Sequence, residues 1–196
     1  MKSLREEHAE ETRKAIIKAA RHMFASKGYD VSSVDEIAMA AKVTSGALYH
    51  HFRNKRDIMR AVFEVMDVEL ADRVRAAAAG AKDAISHFQR SVHALLDLCQ
   101  EQEIRSIVYQ QAPRVLGWDE YRIADESIGI AGLVEELSNL RKEGKIGDYN
   151  NKLLASMFLA LMNEAGFQMA ANQKKSLRRE CERIFQSFLK GLSGAG

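Results

Sequence analysis

The sequence predicts an all-α fold, and three observations carry that prediction. Apolar residues recur at three- and four-residue steps almost throughout, which lines one face of a helix, while sustained alternation of period two is absent. The composition is rich in Ala, Glu, Leu and Arg and holds one proline, Pro113, in 196 residues; this favours helix over loop. Glycines follow the periodic runs and Ser, Thr or Asn precede the next ones, so stops and starts fall where helices need them.

The first helix is expected from about Thr12 to Lys27, with Ile16, Ile17, Ala20 and Phe24 turned inward and Gly28 as its stop. Ser33 with Glu36 three residues on forms a capping box, each side chain satisfying the other's free backbone N–H, for a short helix to about Ala41. After the Lys42-Val43 turn, Thr44 caps a third helix from Ser45 to His51. Asn54 caps a long fourth one from Lys55 to about Ala79, ended by Gly80. Five more are expected at about Lys82–Glu101, Glu103–Gln111, Trp118–Glu143, Asn151–Ala171 and Lys175–Lys190, broken by Pro113 and Gly117 and then by Gly144 and Gly147. The end, Ser193 to Gly196, is expected to fray.

The partition that follows is a three-helix unit over residues 1–54 and a connecting helix plus larger helical body over 55–196. Hydrophobic residues make up 46% of the chain, ample for a core without metal or disulfide support. Cys99 and Cys181 lack any companion spacing, and neither a cofactor nor a metal site is predicted. Lys plus Arg number 29 against 27 Asp plus Glu, a net charge of +2, so any basic surface is local. The N-terminus has no signal-type apolar core and no uncharged apolar run spans a bilayer; the expected location is the cytoplasm, with no membrane partner.

Two short helices joined by a tight turn form a helix-turn-helix, whose second helix can enter a major groove. The packing requirements are met: Ile37 and Leu48 anchor the two helices, Ala38 and Ala41 permit close approach, Val43 plugs the turn, and Phe52 closes against Phe24. The stretch from Phe24 to Glu64 resembles the DNA-binding region of the TetR/AcrR family of transcriptional regulators. Phe24, Gly28-Tyr29, the Ser33–Ala38 start, Gly46-Ala47-Leu48-Tyr49, His51-Phe52 and Asn54-Lys55 carry the resemblance.

The resemblance implies a set of DNA contacts. Ser33 and Thr44 would each cap a helix and meet a phosphate, because helix N-termini attract anions. Ser45 and Ala47 would face base edges, and Gly46 would let the backbone approach DNA without a Cβ collision. Tyr49, His50 and Lys55 would contact the phosphate backbone, with Lys42 adding local charge. Many relatives carry a tyrosine where this chain has His50, so operator affinity is expected to rise as pH falls through about 6.5. No Arg, Asn or Gln lies between Thr44 and Phe52, so specificity leans on small contacts and DNA shape. Plainer roles stand beside these: caps for Ser33 and Thr44, packing for Tyr49, a solvated amine for Lys55.

For the body, the same resemblance implies dimerisation and effector binding, with ligand moving the fourth helix and so the recognition helices. The sequence adds its own support. Leu177, Cys181, Ile184, Phe185, Phe188 and Leu192 form one stripe on the last helix, and the helix before it is apolar over most of its girth, which suits burial on two sides. A small, mainly apolar effector is expected among His87, His93, Tyr109, Gln110, Trp118, Tyr121, Phe158, Met162 and Phe167, although each has an ordinary core role as its alternative. Glu164, within an apolar helix, is placed to counter a cationic ligand or to pair with a basic residue.

The function expected is therefore a dimeric, sequence-specific DNA-binding repressor, released from a pseudo-palindromic operator by its effector. The alternatives are a helical carrier or enzyme with the N-terminal unit as scaffold, and a module that binds protein alone. Against the enzyme, the chain has no Gly-rich phosphate loop, His-Glu-x-x-His pair or Gly-x-Ser-x-Gly motif.

Overall fold

A computed structural model describes residues 3–172 and 174–193, Lys175 by its backbone alone; the expected frayed end at Gly194–Gly196 lies outside the described residues. The fold is all-α. Helix α1 spans Leu4–Lys27, α2 Val34–Ala40, α3 Ser45–His51 and α4 Lys55–Ala78. The body contains α5 Ala84–Leu98, a short α6 Gln102–Ile104, a π-helical stretch Arg105–Gln111, α7 Ala112–Leu116, α8 Trp118–Lys142, α9 Asn151–Ala171 and α10 Lys175–Leu192.

Helix α1 begins two turns earlier than the apolar periodicity predicts. Ser3 and Glu6 form a capping box at its start, and the exposed first turns need no buried face because a cap and an i,i+4 pair, Glu10 with Lys14, support them locally. The expected break between Gln111 and Pro113 is not a break. The chain stays helical through Pro113 because the preceding turns widen, with Ala112 N–H donating five residues back to Ile107. Proline lacks an N–H and its ring crowds the carbonyl four residues earlier, so a π-helical turn ahead of it relieves both problems. Asp83, rather than Lys82, starts α5, its carboxylate accepting the Ser86 N–H at 2.7 Å.

Buried Phe24, Ile37, Leu48, Phe52 and Ile58 close the three-helix unit, and the same core runs unbroken along α4 into the body. Helix α9 has the length and composition of a bilayer-spanning segment, with mean hydropathy 1.2. Its packing explains this, since Leu154, Phe158, Met162 and Met169 are buried inside the bundle.

Several polar links fix the N-terminal unit to the body. The Arg21 guanidinium meets both oxygens of Glu103 at 2.8 Å and Glu69 at 2.6 Å. Arg56 donates to the Val115 and Leu116 carbonyls and shares Glu120 with Arg60. Gln111, buried at the end of the π-helical stretch, accepts the Tyr29 N–H at 2.7 Å and donates to the Phe24 carbonyl at 3.0 Å.

Candidate nucleic-acid interface and effector cavity

The helix-turn-helix is built by side chains that stay local. Ser33 Oγ accepts the Glu36 N–H at 3.2 Å and Glu36 returns a carboxylate to the Ser33 N–H at 2.9 Å. The Lys27 ammonium, then the Ser33 groups, hold the Glu36 carboxyl down to about 2. Lys42 takes the left-handed conformation, φ 58°, letting the Val43 N–H reach the Ala38 carbonyl and the chain reverse between α2 and α3. Thr44 Oγ1 accepts the Ala47 N–H at 3.1 Å.

The outer face of this unit is open. Ser33, Lys42, Thr44, Gly46, Tyr49 and His50 are exposed, whereas Ser45 and Ala47 are half-buried. Tyr49 is 53% exposed, so it packs little. Ser45 Oγ donates to Asp35 at 2.7 Å, joining α2 to α3. The Lys55 side chain is turned toward the loop between α1 and α2. Its ammonium donates to the carbonyls of Tyr29, Asp30 and Ser32 at 2.9, 3.4 and 2.9 Å and lies 4.3 Å from the Tyr29 ring centroid. All its donors turn into the protein because α4 starts directly beneath the α1–α2 loop.

A cavity of about 240 Å³ opens among α4, α5, α8 and α9. Of the expected lining residues, His87, Tyr109 and Met162 border it. The others lie elsewhere. His93 is on the opposite face of α5, 2.6 Å from Glu182 of α10. Phe158 fills the core between Phe88 and Phe188. Trp118 is half-exposed and stacks on Tyr121 at 6.0 Å, with Phe167 tilted against both. Gln110 is exposed and donates to the Ala170 carbonyl. Glu164 is exposed too, accepting from Gln168.

The cavity's carboxylates are ones that sequence reading missed. Asp67 of α4 and Asp125 of α8 both line it, each only 6% exposed. Asn163 donates to Asp125 Oδ2 at 2.7 Å, while Asp67 Oδ2 has no hydrogen-bond partner. Burial pushes the Asp67 carboxyl up to about 8, with the Asp125 charge adding to it. Burial likewise raises Asp125 to about 6. Farther along, Ser91 donates to Glu136 Oε1 at 2.8 Å and His87 Nδ1 stands 3.6 Å from the same atom. A sequence signal existed: Asp67 shares a helical stripe with Phe63 and Leu70, and Asp125 with Tyr121 and Leu133.

The stripe on α10 divides between two surfaces. Cys181 and Phe185 are buried, whereas Ile184 is 50% exposed, as are Leu153 at 62% and Met157 at 52% on α9. Leu177, Phe188 and Leu192 are half-buried.

Residues 16–62 match the model described as bacterial regulatory proteins, tetR family, and residues 85–192 match the tetracyclin repressor-like C-terminal domain. The chain is 26% identical to the transposon Tn10 TetC protein of Escherichia coli over 199 residues, covering 97% of each. It is 46% identical over 54 residues to the HTH-type transcriptional repressor BepR of Brucella suis, covering 28% of this chain and 26% of that one. The crystal structure of a TetR-family transcriptional regulator from Pectobacterium atrosepticum superposes with a TM-score of 0.84 at 29% identity, covering 99% of each chain. With a helix-turn-helix at one end and the family's C-terminal domain over more than half its length, the chain belongs to the TetR family of DNA-binding transcriptional regulators.

Proposed function

We propose that this regulator is a cytoplasmic homodimeric repressor that leaves a pseudo-palindromic operator when a small effector enters the cavity among α4, α5, α8 and α9. One observation carries the reading: α4 belongs to both sites. Its first residue, Lys55, grips the loop ahead of α2, and Asp67 on the same helix lines the cavity. A ligand that pulls on Asp67 therefore acts on the helix that carries the DNA-reading unit. A coupling of about 1–3 kcal/mol suffices for a useful switch.

Ser33, Lys42, Thr44, Tyr49 and His50 supply the phosphate contacts in this reading, and Ser45, Gly46 and Ala47 the approach to base edges; all are exposed or half-buried on one unit. Lys55 acts from behind, positioning the loop. The exposed Leu153, Met157 and Ile184 and the half-buried Phe188 support a two-fold contact between copies of α9 and α10. Such a dimer presents two recognition helices to half-sites about one helical turn apart.

The test is a gel shift on DNA flanking the protein's own gene, over a salt series, with the oligomeric state measured by sedimentation. The reading expects a dimer and a steep loss of affinity with salt. A monomer, or no binding to that DNA at low salt, overturns it.

A further inference from the structure

The cavity is built for charge as well as for apolar surface. Asp67, Asp125, Glu135 and Glu136 border it, with Arg75 and the His87 imidazole as the basic side chains. Both are already engaged: Arg75 pairs with Asp72, and His87 stands against Glu136. Among the described residues no basic side chain pairs with Asp67. Its Oδ2 is buried, lacks a hydrogen-bond partner and belongs to a residue that lines the cavity. Leaving a buried acceptor unmade costs about 1–3 kcal/mol; a donor that carries positive charge completes this end of the cavity and lets Asp67 release the proton that its burial otherwise holds. The remaining wall, Leu70, Val74, Leu133 and Leu159, is apolar.

We infer that the effector is an organic cation, a protonated amine on an apolar frame, whose ammonium donates to Asp67 and Asp125 while its hydrocarbon lies against Leu70, Val74, Leu133 and Leu159. The inference rests on the proposed effector role of this cavity and names the ligand class. Asn163 is a positioning residue here, holding the Asp125 carboxylate by its Nδ2 hydrogen bond. The ammonium bridges α4 and α8, so the ligand's charge is applied to the connecting helix itself. Gly132 keeps the space open, because a Cβ built on it meets nothing within 4 Å.

The test uses three probes that share a phenyl frame and differ in head group: phenethylamine, phenethyl alcohol and phenylacetate. Their binding to the full-length chain is measured by calorimetry, and their effect on the operator complex by gel shift. The amine is expected to bind at least about tenfold more tightly than the alcohol, with phenylacetate the weakest. Asp67→Asn should bring amine and alcohol to near parity. Gly132→Leu, which adds bulk to the cavity wall and leaves both carboxylates in the chain, should abolish binding of both and serves if the first variant does not fold. Alcohol binding as tightly as amine, amine preference surviving in folded Asp67→Asn, or undiminished amine binding in Gly132→Leu each overturns the inference. The two levels separate cleanly. Amine selectivity without DNA release upholds the cation site and removes its effector role, whereas release by alcohol and amine alike upholds the effector role and removes the charge selection.

Discussion

The side-chain oxygen of Gln111 stands 2.7 Å from the backbone nitrogen of Tyr29, so the turn after α1 hangs from the π-helical stretch of the body. The same amide donates to the Phe24 carbonyl and to Ser106 Oγ, at 3.0 and 2.7 Å. Gln111→Leu keeps the bulk and strands the Tyr29 N–H, while the Phe24 carbonyl keeps the Gly28 N–H. It should lower unfolding stability by about 1–3 kcal/mol, measured in urea. It should also weaken effector-dependent release more than DNA binding itself, since the contact joins the two halves and touches neither ligand.

Gly46 separates fold from function at the interface. A Cβ there lies 3.9 Å from Thr44 Oγ1, an ordinary contact, so Gly46→Ala fits the free protein. Alanine in place of a helical glycine should raise stability by up to about 1 kcal/mol. On DNA the added methyl stands where the backbone is proposed to approach, so operator affinity should drop about tenfold or more. Unchanged affinity in the stabilised variant would mean that this face does not meet DNA closely.

Gly166 shows the opposite case. A Cβ on it would lie 2.2 Å from Tyr109 Cε1, and Tyr109 is buried with its ring edge-on to Phe167. Gly166→Ala must therefore drive the ring out of the wall between cavity and π-helical stretch. The expected cost is about 1–3 kcal/mol, visible as a lower melting temperature, and replacing Tyr109 by Leu in the same chain should recover part of it.

Asp67 gives the stability curve a direction. Folded, it keeps its proton up to about pH 8 because it is buried beside Asp125; unfolded, an aspartate loses it near about pH 4. The folded state binds the extra proton across that interval, so this residue makes stability fall as pH rises from about 4 to about 8. Asp125, Tyr121, Arg75, His87 and Glu136 share the surroundings, so the comparison to make is with Asp67→Asn. The variant should gain on wild type by a few kcal/mol between mildly acidic and mildly alkaline urea melts. A constant difference between the two would place the Asp67 carboxylate in water.

The sequence made the helices and the DNA-reading unit legible because their signals are local. Ser33, Thr44 and Asn54 cap the helices they were read to cap, each accepting the N–H three residues on. The cavity was much less so. Apolar and aromatic residues such as Phe158 and Trp118 look alike in a sequence whether they pack a core, cover a surface or line a pocket. Glu164 drew notice as an acid within an apolar helix, yet the apolar surface of α9 continues to the outside, and Glu164 points there. Asp67 and Asp125 lie on helices of mixed composition, where only their place on an apolar stripe sets them apart. Lys55 likewise reads as a free amine until the fold brings distant carbonyls beneath it.

The Lys55 ammonium, held by the carbonyls of Tyr29, Asp30 and Ser32, pins the start of α4 to the loop between α1 and α2. With that bolt in place the first three helices and the beginning of the fourth should travel as a solid block. In the proposed dimer, a ligand in the cavity would reach this block as tilt, and tilt in each of the two copies would alter the distance between their reading heads. Operators whose halves are set one base pair wider or narrower should then rank differently with and without the effector, a ruler reading that no contact with a base could produce.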